Sequence, residues 1–119
     1  MEIGFKFEKL IIWQKAMVFG EDIDVLTKKF PANELYNLSS QIRRAADSIA
    51  LNIAEGSTGQ SNKEFSRFLG YAIRSGIEII SCLYVGKRRN LVDDIAFKEY
   101  YQITEQLIMK TQALRKSLR

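Results

Sequence analysis

The chain has 119 residues (13.7 kDa), of which 46% are hydrophobic and 27% charged, with a formal net charge of +4 and a pI near 9.3. This is room for one domain with one modest core, in a composition too apolar for wholesale disorder. One proline and seven glycines suit long helices and give little support to a many-turned β fold; the positive balance permits an anionic partner without requiring one.

Histidine is absent. This removes the commonest general base and metal ligand, and with them the Glu-x-x-His pattern of di-iron bundles. Glu55, Glu64, Glu78 and Glu105 do not pair at a ligand spacing, so neither a metal nor another cofactor is expected. Glu55-Gly56-Ser57-Thr58-Gly59 lacks the lysine and spacing of a P-loop. Cys82, the single cysteine, lies in the apolar run Ile79-Ile80-Ser81-Cys82-Leu83 and reads as a small buried hydrophobe rather than a nucleophile. No catalytic residue emerges, and the expectation is a non-enzyme. MEIGFKFEKL at the N-terminus lacks a signal-peptide core, and no apolar run reaches the roughly 18–20 residues of a membrane span. A cytoplasmic protein without membrane attachment is therefore expected.

Taken in order, the first helix is predicted from about Phe7 to Lys29. Ile12, Ala16, Phe19, Ile23, Leu26 and Phe30 recur at alternating spacings of four and three on one face, with Trp13 and Met17 beside them. Pro31 stops it, and Pro31 to Asn37 is a connection with room for a single helical turn. The second helix spans roughly Leu38 to Glu55, with Leu38, Ile42, Ala45, Ile49 and Ile53 inward and Ala46, Ala50 and Ala54 keeping its flanks thin. Gly56 follows, at the place of the left-handed residue that commonly ends a helix. After the polar turn Ser57 to Gln60, Ser61 and Glu64 form the S-x-x-E signature of a reciprocal capping box. The third helix runs from about residue 62 to 86 on Phe65, Phe68, Leu69, Ala72, Ile73, Gly76, Ile79, Ile80 and Leu83; Gly70 and Gly76 are read as space for a neighbouring helix. The fourth, from about 94 to 117, is capped by Asp93 or Asp94 and turns Ala96, Tyr100, Ile103, Leu107, Leu114 and Leu118 inward, interrupted by Thr111. Short connections between helices of similar length predict an all-α, antiparallel up-down-up-down four-helix bundle.

Basic residues carry the main functional signal. Lys63, Arg67, Gly70 and Arg74 share a face of the third helix, and Lys87, Arg88 and Arg89 fall at its C-terminal end, where the macrodipole favours cations. Arg43 and Arg44 point away from the Ile42–Ile49 stripe. Arginine suits bidentate phosphate contacts, so these residues are candidate contacts to RNA or DNA. An ion-pair reading is equally concrete: Asp47 lies three or four residues from both Arg43 and Arg44, and Glu78 follows Arg74 by four. Surplus apolar residues outside the central stripes (Trp13, Met17, Leu51, Ile77, Tyr84 and Tyr101) suggest a second packing surface. Trp13, Met17, Leu51, Ile77 and Tyr84, with Glu55, are candidate contacts in a homo-oligomer.

The run Gln41-Ile42-Arg43-Arg44-Ala45-Ala46, then Ser48-Ile49, Asn52-Ile53-Ala54-Glu55-Gly56 and Lys63-Glu64-Phe65-x-Arg67-Phe68-Leu69, closely resembles the bacterial four-helix-bundle proteins encoded within 23S rRNA intervening sequences. Trp13-Gln14-Lys15-Ala16 and Leu26-Thr27-x-x-Phe30-Pro31 fit the same family's first helix, and the resemblance spans roughly residues 8 to 118. It implies a left-handed bundle assembled into a ring-like homopentamer. It also implies kinship with the accessory variability protein of diversity-generating retroelements, a basic pentamer that binds nucleic acid and its partner reverse transcriptase. The resemblance does not imply a ribosomal subunit, since the family's name records where its genes lie. This sequence departs from the pattern at Ala50-Leu51, where a proline and a small residue are usual, at Asn37, where glycine is common, and at Arg74-Ser75-Gly76-Ile77. Two functions are therefore expected: a non-enzymatic oligomer that binds nucleic acid through a basic surface, or a pentameric scaffold that binds a protein partner without direct nucleic-acid contact.

Overall fold

Four helices carry the fold: α1 (Ile11–Thr27), α2 (Leu38–Gly56), α3 (Asn62–Arg88) and α4 (Asp94–Ser117), with short 3-10 turns at Lys6–Lys9 and Ala32–Glu34. The structure, a computed structural model, describes residues 4–59 and 61–118. Met1 to Ile3 of the N-terminal reading, Gln60 of the predicted turn and Arg119 lie outside the described residues. α1 packs on α2, α2 on α3, α3 on α4, and α4 back on α1; the diagonal pairs make no close backbone contact among the described residues. Cross-helix contacts fix the directions. Arg43 reaches Asp24 while Asp47 leans over Gly20, and Ser48 meets Ser75 while Gly56 meets Phe68. Gly76 faces Ile108 while Gly70 faces Arg115. In each pair one residue number rises as the other falls, so all neighbours are antiparallel and the chain is an up-down-up-down four-helix bundle measuring 45 × 31 × 22 Å.

The periodic stripes of the first two helices become the core together with Phe65, Leu69, Ala72, Gly76, Ile79 and Leu83 of α3, whereas Phe68, Ile73 and Ile80 of the predicted α3 face are only half-buried. Ile12, Ala16, Phe19, Ile23, Leu26 and Phe30 are buried, as are Leu38, Ile42, Ala45, Ile49 and Ile53 of α2. Ala46 and Ala50 are buried too, which lets α1 approach α2 closely. α3 contacts both α2 and α4 and so carries two apolar flanks. Among the described residues it is the one helix long and apolar enough, by length and composition, to cross a membrane, with an 18-residue window of mean hydropathy 1.3. The expectation that no segment reaches that measure is corrected; 39% of the window is buried inside the bundle.

Several expected boundaries and faces differ. The first helix starts at Ile11, not Phe7, because Leu10 is extended (φ −79°, ψ 123°). Phe7 lies in the separate turn Lys6–Lys9, where the Glu8 carboxylate accepts the Phe5 N–H at 2.7 Å. α1 ends at Thr27, whose hydroxyl donates to the Asp24 carbonyl at 3.0 Å. Gly56 is the last residue of α2 and is not left-handed; the left-handed glycine is Gly59 (φ 92°), in the following turn. Gly56 is needed for space, since a Cβ there would stand 2.5 Å from Cβ of Phe68. Ser61 caps α3 by accepting the Glu64 N–H at 3.0 Å, while the Glu64 carboxylate turns to Arg67, so half of the expected capping box forms.

α3 extends to Arg88 and closes in a Schellman-type turn. Asn90 takes the left-handed position (φ 60°) and the Leu91 N–H reaches the Gly86 carbonyl at 2.8 Å. Asp93, not Asp94, caps α4 by accepting the Ala96 N–H at 2.8 Å. The inward face of α4 is Thr104, Leu107 and Thr111, whereas Ala96, Tyr100, Ile103, Leu114 and Leu118 are half-buried beside it. Both threonines tolerate burial because their hydroxyls donate to the carbonyl four residues back, Tyr100 at 2.6 Å and Leu107 at 2.7 Å.

Candidate nucleic-acid interface

From Lys63 to Arg89 the chain carries six cations and two carboxylates, a surplus equal to the whole protein's net charge of +4. α1, diagonal to α3, carries Lys15 against Glu21, Asp22 and Asp24. Lys28 and Lys29 follow α1 directly, Lys28 pairing with Asp24 at 3.1 Å, so the α1 side is balanced in charge while the α3 side is basic. On α3, Lys63, Arg67, Gly70, Arg74 and Arg88 fall on one outer ridge by helical periodicity, opposite the buried Phe65, Leu69, Ala72 and Ile79. From Lys63 to Arg88 the ridge runs about 38 Å at 1.5 Å per residue.

The eight candidate cations divide by their partners. Arg43 pairs with Asp24 of α1 at 3.4 Å. Arg89 Nη1 donates to both Glu34 oxygens at 3.2 and 3.3 Å, and the Glu34 side chain is only 12% exposed. Lys87 pairs with Asp94 at 3.4 Å and sits 4.7 Å from the centre of the Phe97 ring. Arg67 pairs with Glu64 and lies over the Phe68 and Tyr71 rings at 5.4 and 6.0 Å. The Glu64 hydrogen bond and charge raise the Arg67 pKa above its ordinary value. Arg44, Lys63, Arg74 and Arg88 are exposed and have no hydrogen-bond or ion-pair partner among the described residues. The anticipated pairs of Asp47 with Arg43 or Arg44, and of Glu78 with Arg74, are not the ones that form. Asp47 instead leans over Gly20, and Arg43 crosses to the neighbouring helix.

One basic residue escaped the periodicity. Arg115 of α4 donates from Nε to Ser66 Oγ at 3.2 Å and lays its guanidinium over Gly70, in the gap between Arg67 and Arg74. Its sequence signal is indirect: a glycine in the middle of a basic row, where a side chain would block an approaching neighbour.

The six candidate oligomer contacts occupy two surfaces. Met17 and Leu51, with Val25, line a groove of about 620 Å³ between α1 and α2. Leu51 is 66% exposed, and the exposed Glu55 follows it by one turn. Trp13 is half-buried, edge-on to Phe7 with ring centres 4.9 Å apart. Ile77 and Tyr84 are exposed on α3, with Tyr84 edge-on to Phe97 at 4.9 Å. Tyr101, counted among the surplus apolar residues, packs within the bundle beside Phe97.

Cys82 is 4% exposed, and burial pushes its thiol up to about 11. Among the described residues no three His, Cys, Asp or Glu side chains converge as metal ligands would. What the α3 ridge offers is positive charge at helical intervals, suited to the phosphates of a strand.

The family model described as 23S rRNA-intervening sequence protein matches residues 8–113. No curated protein matches the chain.

Proposed function

This chain belongs to the 23S rRNA-intervening sequence protein family, and on that premise we propose that it is a non-enzymatic, oligomeric bundle that binds RNA or DNA along α3. The observation that carries the reading is a local surplus of four positive charges between Lys63 and Arg89, with Lys63, Arg74 and Arg88 exposed and unpaired among the described residues. Phosphate contacts from such a ridge fix a polyanion without reading its bases, so binding tolerates sequence and weakens steeply with salt. The four cations whose charge another residue already meets (Arg43, Arg67, Lys87 and Arg89) divide in role. Arg67 stays on the ridge, held in place by Glu64 and the two rings, whereas Arg43, Lys87 and Arg89 each tie two elements together. A cytoplasmic location belongs to the same reading.

Charge reversal tests it. Arg67→Glu with Arg74→Glu removes two phosphate contacts and is expected to weaken binding of a duplex RNA at least about tenfold while leaving oligomer size unchanged. Loss of the oligomer with unchanged RNA binding by the residual protomer would make these arginines structural and defeat the reading.

Self-association is proposed through the α1/α2 groove, where exposed Met17, Val25 and Leu51 offer apolar surface; five subunits is the number the family resemblance implies. The same groove favours a second reading, a scaffold for a protein partner. A partner retained from nuclease-treated lysate and lost on Leu51→Glu, but not on Arg74→Glu, would favour the scaffold.

A further inference from the structure

We infer that Arg115 is a phosphate-binding residue, seated by Gly70 and Ser66 between Arg67 and Arg74, so that the anion site is built from two helices rather than one. The inference rests on the nucleic-acid reading of α3 and adds to it a residue on a different helix.

Three observations carry it. A Cβ built on Gly70 would stand 3.1 Å from Nη2, 3.2 Å from Cζ and 3.3 Å from Nη1 of Arg115. Near-equal distances to three atoms of one plane mean that the guanidinium lies face-on over the glycine, in space that any side chain would take. Second, Nε donates to Ser66 Oγ at 3.2 Å. With its face on Gly70 and its Nε on Ser66, the group is oriented and its Nη edge is left for another acceptor. Third, Arg115 is half-buried and has no carboxylate partner within ion-pair distance among the described residues. A partly desolvated charge held by neutral groups is the arrangement that an anion from outside completes.

The neighbours fit that anion. Gly70 follows Arg67 by three residues and precedes Arg74 by four, so three guanidinium groups share about 10 Å of helix axis. That length corresponds to about three successive phosphates of one strand at 3.4 Å of rise each. Arginine's planar fork, with its orientation already fixed, loses little freedom when it grips a phosphate in two-pronged fashion. Gly70, an otherwise unfavourable helix residue, is explained as the floor of this seat.

The test uses the full chain and two probes, a 20-base-pair DNA duplex and inorganic phosphate. Arg115→Gln is expected to reduce the slope of log K against log salt by about 0.9, which is about an eightfold loss of affinity at 0.1 M salt. Arg115→Lys, which keeps the charge and loses the fork, is expected to retain most of the slope and only part of the affinity. Phosphate added to the wild-type protein is expected to shift the Arg115 Nε–H resonance in a saturable way, and Ser66→Ala is expected to weaken that response. An Arg115→Gln protein with wild-type slope, from a wild-type protein that does bind duplex, overturns the inference even if its melting temperature falls. If the wild type fails to bind duplex but phosphate still titrates Arg115, the nucleic-acid reading falls and the seat stands. A wild type that binds neither probe overturns both.

Discussion

Replacing Gly56 by alanine separates packing from backbone conformation at the junction of α2 and α3. An added Cβ would lie 2.5 Å from Phe68 Cβ, 3.1 Å from Phe65 Cδ1 and 3.3 Å from Phe68 Cγ. Carbon atoms prefer about 3.5–4.0 Å, so the start of α3 must move by about 1 Å, and the closest atom cannot rotate out of the way. Overpacking of this kind costs about 1–3 kcal/mol. Alanine's helix propensity returns at most about 1 kcal/mol at this last helical position. The net expectation is a loss of about 1–2 kcal/mol, or about 4–8 °C in melting temperature for a domain of this size. Gly59→Ala costs a similar amount for a different reason: its φ is 92°, while nothing stands within 4 Å of the new Cβ. Asparagine, which tolerates positive φ, tells them apart. Gly59→Asn is expected to be milder than Gly59→Ala, and Gly56→Asn at least as damaging as Gly56→Ala, by urea titration followed by circular dichroism. A Gly56→Ala protein more stable than wild type, or a Gly56→Asn milder than Gly56→Ala, would refute the packing argument.

Two further perturbations test other parts of the account. The Cys82 thiol ionises near 9.0 when unfolded and at about 11 when folded, so between those values the unfolded chain binds fewer protons and stability falls as pH rises. The loss is at most about 2.7 kcal/mol at 1.36 kcal/mol per pKa unit. Cys82→Ala should lack that alkaline component, and the native thiol should resist iodoacetamide at pH 8 until the protein unfolds. Arg89→Met strands the nearly buried Glu34 carboxylate between the Leu38 N–H at 3.4 Å and solvent. It is expected to cost about 1–3 kcal/mol in chemical denaturation, whereas Arg88→Met, one residue away and unpaired among the described residues, should change stability by less than about 0.5 kcal/mol.

The fold was legible where burial and apolarity coincide. Every residue of the Ile12–Phe30 and Leu38–Ile53 stripes is buried, because apolar side chains at helical spacing share one face whose removal from water is favourable. α4 was misread because its innermost positions include Thr104 and Thr111, polar by composition yet self-satisfied through their own helix's carbonyls. Gly56 looked like a chain terminator because a glycine after a helical run has two physical uses, and only the position of Phe68 shows which applies. At the candidate site, spacing placed Lys63, Arg67, Gly70 and Arg74 on one ridge and could go no further. Ion pairs within a helix can be read from intervals of three and four; those that link Arg43 to Asp24 and Arg89 to Glu34 join different elements. Arg115 was invisible for the same reason, since Ser66 lies 49 residues before it.

The central claim is that the α3 ridge holds phosphates, and the most direct measurement is the salt dependence of duplex DNA binding by the wild-type protein. Lys63, Arg67, Arg74 and Arg88 engaging four phosphates predict a slope of log K against log salt of about −3.6 per protomer between 50 and 200 mM, steeper by about 0.9 if Arg115 joins them. The slope should be the same for DNA duplexes of unrelated sequence. No binding at 50 mM salt, or a slope shallower than about −1, would contradict the account.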